Sequence, residues 1–251
     1  MKIIISPAKT MGVDREAHEV TDLPRFLNET RLLMDEIRSL SFDEAKRLWG
    51  CNDRLAELNY ERFSRMDLEK DLTPAVFSYE GLQYKNMGPG VLSDKALEYI
   101  GEHLMILSGF YGILGPFDGV VPYRLEMQAK LAAAGCRNLY EFWGNKLYRA
   151  VSDCFDEKTS FTVLNLASKE YSQVIEKYKE ERCRFINVDF CEAANGKLKQ
   201  KATSAKMARG DMVRFLAEGN IEEIEGVKAY NGFGFSFSEE NSGKDRLVFV
   251  K

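Results

Sequence analysis

LMILSGFYGILGPFDGVVPYRLEMQAKL, residues 104–131, is the stretch on which the reading of this chain turns. Four apolar residues, Leu104 to Leu107, run into Ser108-Gly109-Phe110-Tyr111-Gly112, a turn with a glycine on either side of two aromatics. Glycine has no Cβ, so it tolerates positive φ and close approach, and two glycines three apart can aim consecutive amides at an anion such as phosphate. The plain structural alternative is a buried element and its turn. Pro116, Gly119 and Pro122 then bend the path into Tyr123-Arg124-Leu125-Glu126. An arginine and a carboxylate two residues apart in apolar surroundings predict a partly buried charged pair, hydrogen-bonded or functional because it is costly to desolvate. Two geometries satisfy the segment: helix, hairpin, helix across Ser108 to Gly112, or helix, strand, turn with Leu104 to Leu107 as the strand.

Upstream, Lys2 to Ile5 reads as a short buried strand, and Ser6-Pro7-Ala8-Lys9-Thr10 as the loop leaving its end, where Lys9 can meet a phosphate or carboxylate. Asp22 and Pro24 open a helix with Phe26, Leu33, Ile37 and Leu40 near helical spacing. Ser41 and Glu44 form a capping-box pattern for the next, which Gly50 ends, and a third helix carries Leu55, Leu58 and Phe63. Ala75 to Tyr79 is expected as a strand, and Ser93 caps a helix running to about His103.

Downstream, Leu139 to Val151 is expected as one helix with Phe142, Trp143 and Leu147 turned to the core. Phe161 to Leu166 reads as a buried strand, followed at Ser168 by a helix to about Tyr178. Asn165 and Ser168 sit at that strand-to-helix turn, where polar side chains either cap the helix or face a cleft. Ile186, Val188 and Phe190 alternate in a strand, Asn195-Gly196 marks a hairpin turn, and Lys197, Lys199 and Lys201 alternate along one face of the returning strand. The next helix, from about Ser204, adds Lys206, Arg209 and Arg214. From Gly196 to Arg214 there are six basic residues against one acidic, Asp211, a balance of +5. This segment is the best expected phosphate-backbone surface, set against a solvated lysine face on an edge strand. Phe233 to Phe237 and Arg246 to Val250 read as a closing hairpin.

With 251 residues, 45% hydrophobic and 29% charged, the chain has the composition of an ordinary globular protein with a sizeable core. A formal net charge of −4 and a pI near 5.5 argue against coating nucleic acid by bulk charge, so any nucleic-acid site must be a local patch. The five cysteines are odd in number and never spaced C-x-x-C, and the two histidines, His18 and His103, are far apart. Neither a zinc site nor a disulfide framework is suggested, and no metal or cofactor is expected. No signal-peptide pattern and no apolar run of membrane-spanning length is read, so a cytoplasmic protein without membrane attachment is expected. No linker or repeat divides the chain, and the expected fold is α+β, a single compact domain over residues 1–251 with a mixed sheet and surrounding helices.

Ile5-Ser6-Pro7-Ala8-Lys9-Thr10, the LSGFYG turn, PYRLEM, Leu139-Tyr140-Glu141-Phe142-Trp143-Gly144, Asn165-Leu166-Ala167-Ser168 and Lys206-Met207-Ala208-Arg209-Gly210 occur in the order seen in the bacterial YaaA family, the peroxide-stress proteins also grouped as DUF328 or UPF0246. The chain resembles that family over nearly its whole length. The resemblance implies a DNA-binding protein of the peroxide response that lowers free intracellular iron. It also implies a helix-hairpin-helix-like element near residues 94–118, with Gly109, Phe110, Tyr111 and Gly112 contacting the backbone of double-stranded DNA beside Lys197, Lys199, Lys201, Lys206 and Arg209. The family pattern often carries an arginine before Pro116, where this chain has Gly115, which weakens that hairpin's contact. The alternative is an enzyme acting on a nucleotide or nucleobase. It requires Lys9, Arg124, Glu126, Asn165 and Ser168 to converge with Lys206 and Arg209 on one polar cleft that takes a small phosphate-bearing ligand.

Overall fold

Three consecutive isoleucines, Ile3 to Ile5, have no exposed surface, which marks a strand buried on both faces, as parallel sheets require. The computed structural model describes residues 1–14, 18–194 and 196–251, so Asn195 of the expected hairpin turn lies outside the described residues. The isoleucines belong to β1 (Lys2–Ile5), at the centre of a mixed eight-stranded sheet. The other strands are β2 (Leu104–Ser108), β3 (Gly112–Leu114), β4 (Phe161–Asn165), β5 (Cys183–Ala194), β6 (Lys197–Lys199), β7 (Ser236–Phe237) and β8 (Arg246–Val250). Their order is β7-β8-β5-β4-β1-β2-β3, with β6 paired to β5 off this path. β8, β5, β4, β1 and β2 run parallel, while β3, β6 and β7 are antiparallel additions. Together with the helices around it, the sheet makes the α+β class.

The chain leaves β1 for β2 on one side and later returns to β4 on the other, so the order reverses at β1. In open sheets of parallel strands, the crevice beyond the carboxyl ends at such a reversal is where ligands bind.

The helices follow their sequence signals closely at the start. They begin with α1 (Leu27–Ser39), α2 (Phe42–Trp49) and α3 (Asp53–Arg65), and the Ser41–Glu44 capping box of α2 is formed in both directions. α4 (Leu82–Met87) and α5 (Asp94–His103) follow, the latter capped by Ser93 accepting from the Ala96 amide. Ala75 to Ser78, expected as strand, forms a helical turn instead. Its Ala75 and Val76 amides donate to the carbonyls of Asp118 and Pro116, bonds to a loop rather than a strand ladder. The expected single helix over Leu139 to Val151 is two, α6 (Leu139–Trp143) and α7 (Lys146–Ser152), because Gly144 takes φ 50°, ψ −130°, outside helical space. α8 (Lys169–Glu176) leads from β4 towards β5, and α9 (Ala202–Glu218) packs on α4. No helix among the described residues is long and apolar enough to cross a membrane.

The helix-hairpin-helix expected near residues 94–118 is not formed. α5 runs into a β-hairpin, β2 and β3, in which Ser108 pairs with Gly112 and Ile106 with Leu114. Leu104 to Leu107 extends because it fills an interior sheet position beside β1. Gly115 then donates its amide to Asp118 Oδ2 in a tight turn with Pro116, where a second helix would have begun.

Candidate functional cleft

The loop after β1 and the turn after β4 are tied together. Ser6 Oγ accepts from the Ser168 amide at 2.8 Å and lies 3.2 Å from Ser168 Oγ, while Tyr84 Oη donates to the Ser6 carbonyl at 2.9 Å. Between them opens a cleft of about 320 Å³, lined among others by Lys9, Arg124, Glu126, Ser168, Lys206 and Arg209. Six of the seven polar residues expected to converge therefore do so, at the sheet's reversal point. Asn165 does not: its amide bonds Asn187 Oδ1 at 2.7 Å and the Ala167 amide at 2.8 Å, which stitches β4 to β5 beneath the cleft.

One wall is an ion cluster. Glu126 Oε1 lies 3.0 Å from Arg124 Nη2 and 3.2 Å from Lys9 Nζ, with Arg124 also donating through Nε to the Trp49 carbonyl at 3.4 Å. The Arg124 and Glu126 side chains are 11% and 12% exposed, so the partly buried pair exists, with Lys9 as a third member from the solvent side. Glu170 stands on the same side and accepts from the Gln128 amide. Burial, reinforced by the charge of Glu126, raises its carboxyl above the usual carboxylate range. Behind this wall Tyr123 Oη bonds Tyr79 Oη at 2.8 Å and Ser108 Oγ at 2.6 Å. Burial pushes the Tyr123 phenol up to about 12, so it stays neutral and acts as a hydrogen-bonding strut.

The opposite wall carries cations without counter-ions among the described residues. Lys206 and Arg209, both on α9, make no ion pair with a described residue, and Arg209 Nε is buried with no hydrogen-bond partner. Burial lowers the Arg209 pKa, and the carboxylate whose field it feels, Asp189, is already held by Arg246 at 2.7 Å. Arginine stays protonated in proteins, so a half-buried charge stands in the cleft with its Nε unpaired among the described residues. Beside it, Gln83 of α4 also lines the cleft, is 7% exposed, and has its Nε2 buried without a partner. Gly210 explains why these two residues are neighbours. A Cβ there would stand 1.9 Å from the Gln83 carbonyl oxygen, so only glycine lets α9 close onto α4.

The glycine turn plays a different part from the one its pattern suggested. Phe110 and Tyr111 have no exposed surface, and their amides donate to Ser108 Oγ at 3.1 and 2.9 Å. Trp143 Nε1 and Thr30 Oγ1 take up the carbonyls of Gly109 and Phe110. A Cβ on Gly109 would meet the Leu125 carbonyl oxygen at 2.5 Å, and one on Gly112 would meet the Trp143 ring at 2.7 Å. The glycines supply clearance for the Arg124–Glu126 strap and for Trp143, so Gly109, Phe110, Tyr111 and Gly112 offer no amides to a DNA backbone. Lys197 and Lys199 are exposed on β6, away from the cleft, whereas Lys201 lies past the strand and pairs with Glu192 at 2.5 Å. Gln83, Tyr84, Glu80, Glu170 and Tyr171 also line the cleft and were not singled out from sequence; Gln83-Tyr84 carries no motif, and only the place of Glu170 just after the β4 turn marked it.

Residues 1–241 match the family described as peroxide stress protein YaaA. The chain belongs to that family. It is 50% identical over 250 residues to a UPF0246 protein of Limosilactobacillus reuteri, covering 99% of this chain and 98% of the relative. It is likewise 50% identical over 251 residues to one of Lachnoclostridium phytofermentans, covering 100% and 96%. A UPF0246 protein of Desulfitobacterium hafniense is 48% identical over 251 residues, covering 100% and 98%. In this YaaA-family chain five of the six segments that carried the resemblance, spread over some two hundred positions, pack in or directly behind one cleft: ISPAKT, PYRLEM, NLAS and KMARG form its walls or floor, and LSGFYG clears the space behind it. Among the described residues no group of three or more His, Cys, Asp or Glu side chains is arranged to hold a metal ion.

Proposed function

We propose that this peroxide stress protein works by binding a small phosphate-bearing ligand of nucleotide size in the cleft between β1 and β4. The observation that carries the reading is Arg209. Arg209 is half-buried, with its Nε shielded from water and unpaired among the described residues, and an anion entering the cleft offsets the cost of that poorly solvated charge. Lys206 beside it doubles the local charge, in a protein whose formal net charge is −4. The volume, about 320 Å³, lies at the small end of ligand sites and suits one nucleotide rather than a duplex. Glu126 and Glu170 on the facing wall give the site acid–base groups, so turnover of the bound nucleotide is the form of enzyme activity this reading carries. The lowering of free iron that the family resemblance implies is, on this proposal, a consequence of the ligand's binding.

A second reading, DNA binding, is favoured by one observation: Lys197 and Lys199 are exposed, without ion pairs among the described residues, on the ribbon that leads into α9. Such lysines meet phosphates without reading bases. Thermal-shift screening with nucleotides, run beside anisotropy titration of duplex DNA at several salt concentrations, separates the two. The cleft reading expects a nucleotide-dependent shift that Arg209→Ala removes. A shift insensitive to Arg209→Ala, or none with any nucleotide, refutes it. Salt-sensitive duplex binding lost in Lys197→Glu with Lys199→Glu would move the function to the ribbon.

A further inference from the structure

Among the described residues, the cleft's buried donors without a partner lie on α4 and α9. Gln83 offers a neutral amide donor and Arg209 a charged Nε–H, both atoms buried and unused, and Lys206 contributes an exposed ammonium. Glycine at 210 brings the α9 and α4 backbones together, and Gln83 and Arg209 both line the cleft there. On the facing wall the cations Lys9 and Arg124 are already engaged by Glu126, and Glu170 adds a further carboxyl. An anion is therefore drawn to the α9 side and kept from the other.

Resting on the nucleotide reading above, we propose that Gln83, Arg209 and Lys206 form a subsite for the terminal phosphate of a phosphomonoester, which makes nucleoside monophosphates the preferred ligand class over internal phosphodiesters. The charge count supports it. A phosphomonoester carries roughly −1.5 to −2 at neutral pH, matching two free cations, whereas a diester carries only one negative charge. The donor set agrees, since a terminal phosphate presents three oxygens to three donors, and the neutral Gln83 amide adds a bond without adding charge. A buried glutamine with its amide donor unused is rare in folded proteins, which satisfy nearly all such groups, and a ligand oxygen accounts for it.

The test is calorimetric titration of the full chain with the 5′-monophosphates of adenosine, guanosine, cytidine and uridine, the matching nucleosides, and the 3′,5′-cyclic monophosphates as diesters. At least one monophosphate is expected to bind, with its nucleoside and cyclic diester weaker by about tenfold or more, the loss of one charge-assisted hydrogen bond or its equivalent. Gln83→Met, which keeps length and packing, should weaken the monophosphate about tenfold with its melting temperature at or above wild type, because the unpaired buried amide is removed. Gln83→Glu should abolish binding and raise the melting temperature, because the new carboxylate gives Arg209 an internal counter-ion. Monophosphate binding lost in Arg209→Ala but untouched in both Gln83 variants would overturn the subsite and leave the cleft reading standing. Equal affinity for monoester and diester would overturn the ligand class. Absence of binding by every probe, or binding indifferent to Arg209, would overturn both.

Discussion

Replacing Arg209 by methionine should make the protein more stable and functionless. The guanidinium Nε has been stripped of water and given no partner, and a buried unsatisfied polar group costs about 1–3 kcal/mol, more when charged. Methionine keeps most of the aliphatic stem while removing that penalty. A gain of about 1–3 kcal/mol corresponds, for a chain of this size, to a rise in Tm of roughly 2–10 °C. Arg182 is the control. It donates to the Asp156 carbonyl at 2.9 Å and to Ser152, and its guanidinium lies 5.0 Å from the Phe161 ring centre, so Arg182→Met should lose about 1–3 kcal/mol. Differential scanning calorimetry on the ligand-free proteins reads both changes, and titration with nucleoside monophosphates reads the function. An Arg209→Met protein that melts at or below the wild type, or that keeps wild-type ligand affinity, refutes the argument that the charge is held in readiness for an anion.

Gly210→Ala should destabilise by about 1–3 kcal/mol and weaken ligand binding, because a Cβ 1.9 Å from the Gln83 carbonyl must push α9 off α4; unchanged melting and binding would contradict this close approach. Gly109→Ala should shift the Arg124–Glu126 strap for the same reason, with a Cβ 2.5 Å from the Leu125 carbonyl oxygen, and circular-dichroism melts beside ligand titration check it. Asp118 is half-buried, and desolvation together with the nearby charge of Asp22 pushes its carboxyl up to about 7. The folded value lies above that of the unfolded chain, so between about pH 4 and 7 the folded state holds more protons and stability falls as pH rises, levelling off above. Asp118→Asn, which still accepts the Gly115 amide, should flatten that slope in urea melts from pH 4.5 to 8; an unchanged slope would show that another group titrates there. Arg124→Lys keeps a charge for Glu126 but cannot also reach the Trp49 carbonyl, so ligand affinity should drop with the fold retained; wild-type titration curves would mean that charge alone suffices.

Much of the fold was legible because local chemistry and tertiary context agreed. Ile3 to Ile5 reads as a buried strand and is one, and the Ser41–Glu44 box and the Ser93 cap fix helix starts by hydrogen bonds that sequence spacing alone specifies. Trp143 and Phe142 are buried, as helical spacing on an apolar side suggested. Disagreement arose where one residue type serves two purposes. Gly109 and Gly112 would suit an anion nest or tight packing, and only the neighbouring Leu125 carbonyl and Trp143 ring, distant in sequence, decide for packing. Gly144 breaks the expected helix although the apolar pattern runs through it. For the cleft, the charged members were recognisable by their motifs, but convergence is set by strand order. Gln83 was invisible, since a glutamine's significance here lies in what its amide lacks.

The most direct measurement is a crystal structure of the protein soaked with a nucleoside 5′-monophosphate. The phosphate is expected in the cleft beyond β1 and β4, within hydrogen-bond reach of Arg209 Nε, Gln83 Nε2 and Lys206 Nζ, with the nucleoside directed towards Glu126 and Glu170. A phosphate seated on the Lys197–Lys199 ribbon, or against Lys9 and Arg124 with Arg209 still unpartnered, would contradict it.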